Sequence, residues 1–151
     1  VIIHRNGESE MKRIESQIKH IPYSQEQVYA KVSDLNNLQT VADKLPSQDE
    51  MHISIRNLRC TTDTAECDIS PVGRISLGIV SREPFKCVKM ETLQSPVRMT
   101  AWIQIVSTAP DSCKIRITLD ADLNVFMARM VEKPMTQAVE RLADMLAMIP
   151  Y

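Results

Sequence analysis

Apolar and polar residues alternate along most of this chain, and helical spacing replaces the alternation after the first strand and again at the end. Over residues 13–21, Ile14, Ser16, Ile18 and His20 face one way, and Arg13, Glu15, Gln17 and Lys19 the other. That period of two predicts a half-buried strand. Pro22 ends it, because it brings no ladder donor. Ser24 suits a helix N-cap, and Val28, Tyr29, Val32 and Leu35 then recur at helical spacing. A second short helix over 38–45 aligns Leu38, Val41 and Leu45, with Asp34-Leu35-Asn36-Asn37 as the corner and Pro46 as the stop.

From 51 to 123 the period is mostly two. Met51, Ile53 and Ile55 alternate, and the phase slips before Leu58 and Cys60, as at a bulge. Ala65, Cys67 and Ile69 form one inward set, and Ile75, Leu77 and Ile79 the next. Val88, Met90 and Thr92 follow. The stretch 98–106 is apolar on both faces; the preferred phase turns Met99, Ala101, Ile103 and Ile105 inward and Trp102 outward. Cys113, Ile115, Ile117, Leu119, Ala121 and Leu123 alternate cleanly. Ser70-Pro71-Val72-Gly73, Arg82-Glu83-Pro84, Ser95-Pro96 and Ala109-Pro110-Asp111-Ser112 supply turns. Six consecutive strands with short links predict an antiparallel meander.

Residues 126–148 predict a long helix. Val131, Met135, Ala138, Leu142, Met145 and Ile149 recur at spacings of three and four, widened by Met127, Met130 and Leu146. At ~1.5 Å per residue it reaches roughly 35 Å, enough to lie along a strand of about 40 Å. Pro134 removes a hydrogen bond, so a kink or break is expected near Lys133. Such a kink either follows the curve of the sheet or makes a flexible lip over a cavity. The fold class is α+β: a curved antiparallel sheet of about seven strands around a long C-terminal helix, with two short helices after the first strand.

This order resembles the START-like superfamily (SRPBCC, or helix-grip), in its polyketide cyclase/dehydrase-like branch. Ile21-Pro22-Tyr23-Ser24-Gln25-Glu26-Gln27-Val28-Tyr29 is similar to the family's strand-to-helix entry. Val80-Ser81-Arg82-Glu83-Pro84-Phe85-Lys86 resembles its turn before the fifth strand, and Leu142-Ala143-Asp144-Met145-Leu146 sits where the final helix ends. The resemblance covers residues 11–151. It implies a cavity between sheet and helix that takes lipids, sterols, polyketides or other apolar ligands; some members are enzymes and others chaperone cofactors. The turns Thr61-Thr62-Asp63-Thr64 and Ser70-Pro71-Val72-Gly73 lack the glycine-rich loop of the plant-allergen branch.

Composition narrows the function. With 151 residues the chain fits one domain. Its 18 basic and 19 acidic residues leave a net charge of -1, which excludes the basic footprint of a nucleic-acid binder. No apolar run approaches the ~18 residues of a membrane span. Cys60, Cys67, Cys87 and Cys113 show no metal-ligand spacing, and they read as reduced thiols of a cytoplasmic protein. Neither metal nor cofactor is expected. Nine methionines stand against two phenylalanines; they either form an adaptable ligand wall or replace Leu in a solid core. Asn6-Gly7-Glu8-Ser9-Glu10 fits translation of a purine-rich stretch resembling a bacterial ribosome-binding site. Residues 1–10 are therefore expected to be a non-native leader, and 11–151 a single domain of bacterial type.

Candidate chemistry is sparse. No nucleophile elbow, zincin, P-loop or dinucleotide motif occurs, so the reading leans away from an enzyme. His4 falls in the leader and His52 opens a strand opposite Ile53. His20 either reaches a cavity rim as an acid or base, or is a strand-end histidine bonded to backbone or water. The candidate cavity lining is Ser16, Ile18, His20, Ile75, Leu77, Met90, Thr92, Ile103, Ile105, Ile117, Met130, Met135, Ala138 and Leu142. Three functions remain open: binding or carriage of an apolar small molecule; a polyketide cyclase/dehydrase-like enzyme; or a protein-interaction module with a filled core. The chain is expected to be a monomer or homodimer.

Overall fold

The alternating segments build one antiparallel sheet. The computed structural model describes residues 9–42, 54–70 and 72–151. The strands are β1 (Ser9–Glu15), β2 (Lys19–Ile21), β3 (Ser54–Cys60), β4 (Thr64–Ser70), β5 (Gly73–Glu83), β6 (Cys87–Gln94), β7 (Arg98–Ala109) and β8 (Ser112–Asn124). The helices are α1 (Gln25–Val32), α2 (Asn36–Ala42) and α3 (Val125–Met148). Leu45, Pro46, Met51, His52, Ile53, His4 and the expected Pro71 turn position lie outside the described residues. The sheet order is β1-β8-β7-β6-β5-β4-β3, with β2 also paired to β8. The meander from β3 to β8 therefore follows chain order, and the first two strands lie on the far side of β8.

The expected phases hold across the centre of the sheet. Ile103 pairs with Ile117, Ile105 with Ile115, and Ala101 with Leu119. Val88 pairs with Ile103 and Met90 with Ala101, which makes one apolar inner face. Trp102 pairs with Thr118 on the outer face, where the Arg13 guanidinium and the Lys89 ammonium lie 5.7 and 5.8 Å from its ring centroid. The slip before Leu58 is a register shift between Arg56 and Arg59, with Asn57 at φ 56°. Asn tolerates that left-handed conformation better than most residues.

The first strand departs from expectation. Glu15 pairs with Thr118, but Lys19 pairs with Ile115. Four steps along one strand thus match three along β8, which is the mark of a bulge, and every later side chain changes face. Ile14, Ser16 and Ile21 point inward and are buried, whereas Ile18 is half exposed and His20 faces solvent. Ser16 holds the bulge. Its N–H donates to the Ile117 carbonyl at 2.8 Å, and its Oγ accepts from the Ile117 N–H at 3.0 Å.

Capping places the helices. Ser24 and Gln27 form a capping box at the start of α1. Asn124, the last residue of β8, accepts from the Met127 N–H at 2.7 Å, so α3 starts with no intervening loop and turns back over the inner face. Of the kink or break expected near Lys133, a break is absent. The helix is continuous through Pro134, with Val131 and Val139 buried on either side and the Thr136 hydroxyl donating to the Glu132 carbonyl at 2.8 Å. Its buried side is Ala128, Val131, Val139, Ala143 and Leu146, rotated from the expected stripe; Met135, Ala138, Leu142 and Met145 flank it half-buried. Val131, Val139, Leu146 and Ile149 together contribute roughly 6–12 kcal/mol of burial before entropy is subtracted.

An ion cluster pins the bulge to the helix. Lys19 bonds Glu140 and, at 2.8 Å, Asp144, and Glu140 also accepts from the Gln17 N–H at 2.9 Å. The Lys19 hydrogen bond and the Gln17 N–H hold the Glu140 carboxyl below its ordinary range.

Two outcomes follow from this geometry. Ser16→Ala leaves the buried Ile117 N–H without its acceptor and is expected to cost about 1–3 kcal/mol. That cost reads as a lower urea midpoint at unchanged slope; an unchanged midpoint would contradict the role given to Ser16. For Glu140, a depressed folded-state pKa means its stabilisation is complete above the ordinary carboxylate range and fades as pH falls through the folded value. Wild type should therefore exceed Glu140→Gln in urea stability at pH 7, with the gap closing towards pH 3. A gap that is constant with pH would refute the linkage.

Candidate ligand cavity

The helix does not fill the sheet evenly. It packs on β8, β1, β2 and α2, and the buried side chains fall into two clusters. One surrounds the C-terminal half of α3 and receives Val28, Val32 and Leu35 from α1 and the corner after it. The other, at the N-terminal half, consists of Ile75, Val97, Met99, Ala121, Leu123, Ala128 and Val131. Among the described residues no side chain from α1 or α2 reaches that second cluster, and a hollow remains there.

The hollow is a half-enclosed cavity of about 190 Å³. Ile69, Val72, Ile75 and Leu77 form its wall on the β4–β5 side. Val97 and Met99 come from the entry to β7, Leu119 and Leu123 from β8, and Val131, Met135, Ala138 and Val139 from α3. All are apolar, and among the described residues no ionisable side chain lines the space.

Of the sequence-predicted lining, Ile75, Leu77, Met135 and Ala138 come together here. Ile103 and Leu142 instead border a second hollow of about 40 Å³ at the other end of the helix, beside α1 and α2. Met90, Ile105 and Ile117 are buried in the filled cluster. Thr92 accepts from the Met99 N–H at 3.2 Å, and Ser16 is occupied at the bulge. Three candidates are corrected. Ile18 and Met130 are 50% and 46% exposed, and His20 is exposed because the bulge turned its strand over. Met130 lies on the outer side of α3, next to the inward Val131. Ile69, Val72, Val97, Met99, Leu119, Leu123, Val131 and Val139 were not among the candidates. An inward phase marks several of them, but nothing in the pattern separates a residue that faces a void from one that faces a neighbour.

No reactive group approaches the hollow. Burial pushes the thiols of Cys60, Cys67, Cys87 and Cys113 up, away from thiolate, and none of them lines it. Burial also pushes the Tyr151 phenol up; its hydroxyl donates to the Leu146 carbonyl at 2.6 Å, at the filled end. Among the described residues no group of His, Cys, Asp and Glu could hold a metal ion, and no helix is long and apolar enough to cross a membrane.

Solved structures share this architecture. Norcoclaurine synthase from Thalictrum flavum, in complex with dopamine and hydroxybenzaldehyde, superposes with a TM-score of 0.66 at 15% identity, over 93% of this chain and 86% of that one. A START superfamily protein from Mycobacterium smegmatis gives 0.64 at 17% identity, over 91% of this chain and 94% of that one. No family model matches the chain, and no curated protein matches it in sequence. The chain has the START-like, helix-grip fold.

An apolar hollow of this size takes up noble gas and small hydrocarbons. Under xenon pressure, the methyl NMR signals of Leu77 and Val131 should shift while those of Ile115, in the filled cluster, stay in place. Equal shifts at both ends, or none, would contradict the cavity as described.

Proposed function

We propose that the chain binds a small, neutral, apolar molecule of about one ring between the sheet and the N-terminal half of α3, as a binding or carrier protein. The observation that carries this reading is an unfilled volume of about 190 Å³ with a wholly apolar lining. An engineered apolar cavity of about 150 Å³ already admits benzene, so a single ring with a carbon or two fits. A larger lipid or a polycyclic polyketide exceeds the space, since drug-sized ligands occupy roughly 300–1,000 Å³. Small-molecule sites usually add a few polar groups that orient the ligand; the described lining has none, which favours ligands without a charged or strongly polar end.

The enzyme reading finds less support. An acid or base must come within hydrogen-bond reach of the reacting group, and the polar candidates Ser16, Thr92 and His20 are bonded to backbone or face solvent. Dopamine and hydroxybenzaldehyde in the norcoclaurine synthase structure are one-ring compounds, but both carry polar groups that this cavity has nothing to meet. The interaction-module reading needs a filled core, and here a hollow of about 190 Å³ lies at one end and a smaller one of about 40 Å³ at the other.

Toluene and benzoate separate these possibilities. A ligand at 100 times its Kd stabilises a protein by about 2.7 kcal/mol, several degrees of Tm for a chain of this size. Toluene should raise Tm by that order and benzoate should not. Ala138→Met, which fills the cavity, should abolish the toluene effect and raise the ligand-free stability by about 1–2 kcal/mol. Equal stabilisation by toluene and benzoate, or a toluene effect that survives Ala138→Met, would refute the assignment.

A further inference from the structure

Two methionines border the hollow from opposite walls. Met99 belongs to the sheet, on β7, and Met135 to the helix α3. Met135 lies midway along the helix wall, between Val131 and Val139. Met99 pairs across the sheet with Ala121, whose neighbours on the same face of β8, Leu119 and Leu123, both line the space. The Met99 backbone is held there, its N–H donating to the Thr92 hydroxyl at 3.2 Å. Each methionine thus stands in the middle of its own wall. The other ten lining residues are Ile, Val, Leu or Ala. No aromatic side chain is among them, so the two thioethers are the most polarisable groups that the described lining offers.

Aliphatic walls respond to the apolar area they cover, and that response has no direction. They treat an aromatic ring and a saturated ring of equal carbon number much alike. A thioether does not. Its sulfur makes favourable contacts with aromatic rings, often at the ring edge, where the quadrupole is positive. A saturated ring has no such edge. We propose that Met99 and Met135 tune the site to aromatic over saturated rings. This rests on the binding role proposed above and narrows its ligand class to benzene and its small alkyl derivatives. A ring standing between sheet and helix turns one edge to each methionine. The unbranched side chains bend at three bonds to meet it. One sulfur–ring contact changes affinity by roughly two- to tenfold, and two from opposite sides multiply.

Benzene and cyclohexane, titrated calorimetrically against the full chain, test this. The double variant Met99→Leu with Met135→Leu keeps apolar side chains of similar volume and removes both sulfurs. Its affinity for benzene relative to cyclohexane should fall at least fivefold from the wild-type ratio, with each single substitution accounting for part of the fall. Met145→Leu, half-buried against the filled cluster, should leave the ratio within twofold of wild type. Should the double variant fail to fold, protein carrying norleucine in place of methionine, which exchanges each sulfur for a methylene, reads the same fall. An unchanged ratio in the sulfur-free site, or an equal fall in Met145→Leu, overturns the aromatic preference and leaves the binding role standing. Failure of wild type to bind either ring overturns the binding role, and this inference with it.

Discussion

A single helix has to bury its apolar side against a sheet wider than itself. A helix with side chains is about 10–12 Å across, and neighbouring strands lie about 4.8 Å apart. One helix therefore covers only a few strands of an eight-strand sheet, and here it packs on β8, β1 and β2. The remaining inner face needs other partners. Val28, Val32 and Leu35 supply them at the end where α3 finishes. At the end where α3 begins nothing equivalent arrives among the described residues, and the hollow lies there.

The same mismatch sets the chemistry. Strand alternation puts the charged side chains of β6, β7 and β8 on the outer face, where Arg13, Asp120, Lys89 and Glu91 form ion pairs around Trp102. The inner face keeps the aliphatic set. A polar group placed there would need a buried partner, as Ser16 and Thr92 have, because an unpaired one costs several kcal/mol. The binding role proposed above makes such an interior select by size and by the absence of charge.

Much of this architecture was legible in the residues, and the exceptions have physical causes. The strand phases at the centre of β6, β7 and β8 follow from side chains that alternate through residues 87–91, 98–107 and 113–122, and the outward Trp102 follows from the same register. The bulge at residues 16–18 was hidden because the alternation runs straight through it; only the pairing with β8 reveals the extra residue. The error in His20 and Ile18 descends from that one slip. The helix stripe was rotated for a different reason. Ala128 and Ala143 carry little hydrophobic signal, yet both are buried, and their small side chains let the backbone approach the sheet. The cavity itself left no trace in the pattern, since a void belongs to the spacing between residues that look the same whether packed or not.

The position of a bound molecule tests the account most directly. In a complex of the protein with protonated toluene, intermolecular NOEs from the ring should reach the methyl groups of Ile75, Leu77, Val97 and Val131, four residues brought together from three parts of the chain. NOEs confined to exposed apolar side chains such as Leu93 and Phe126, with none to those four, would contradict it.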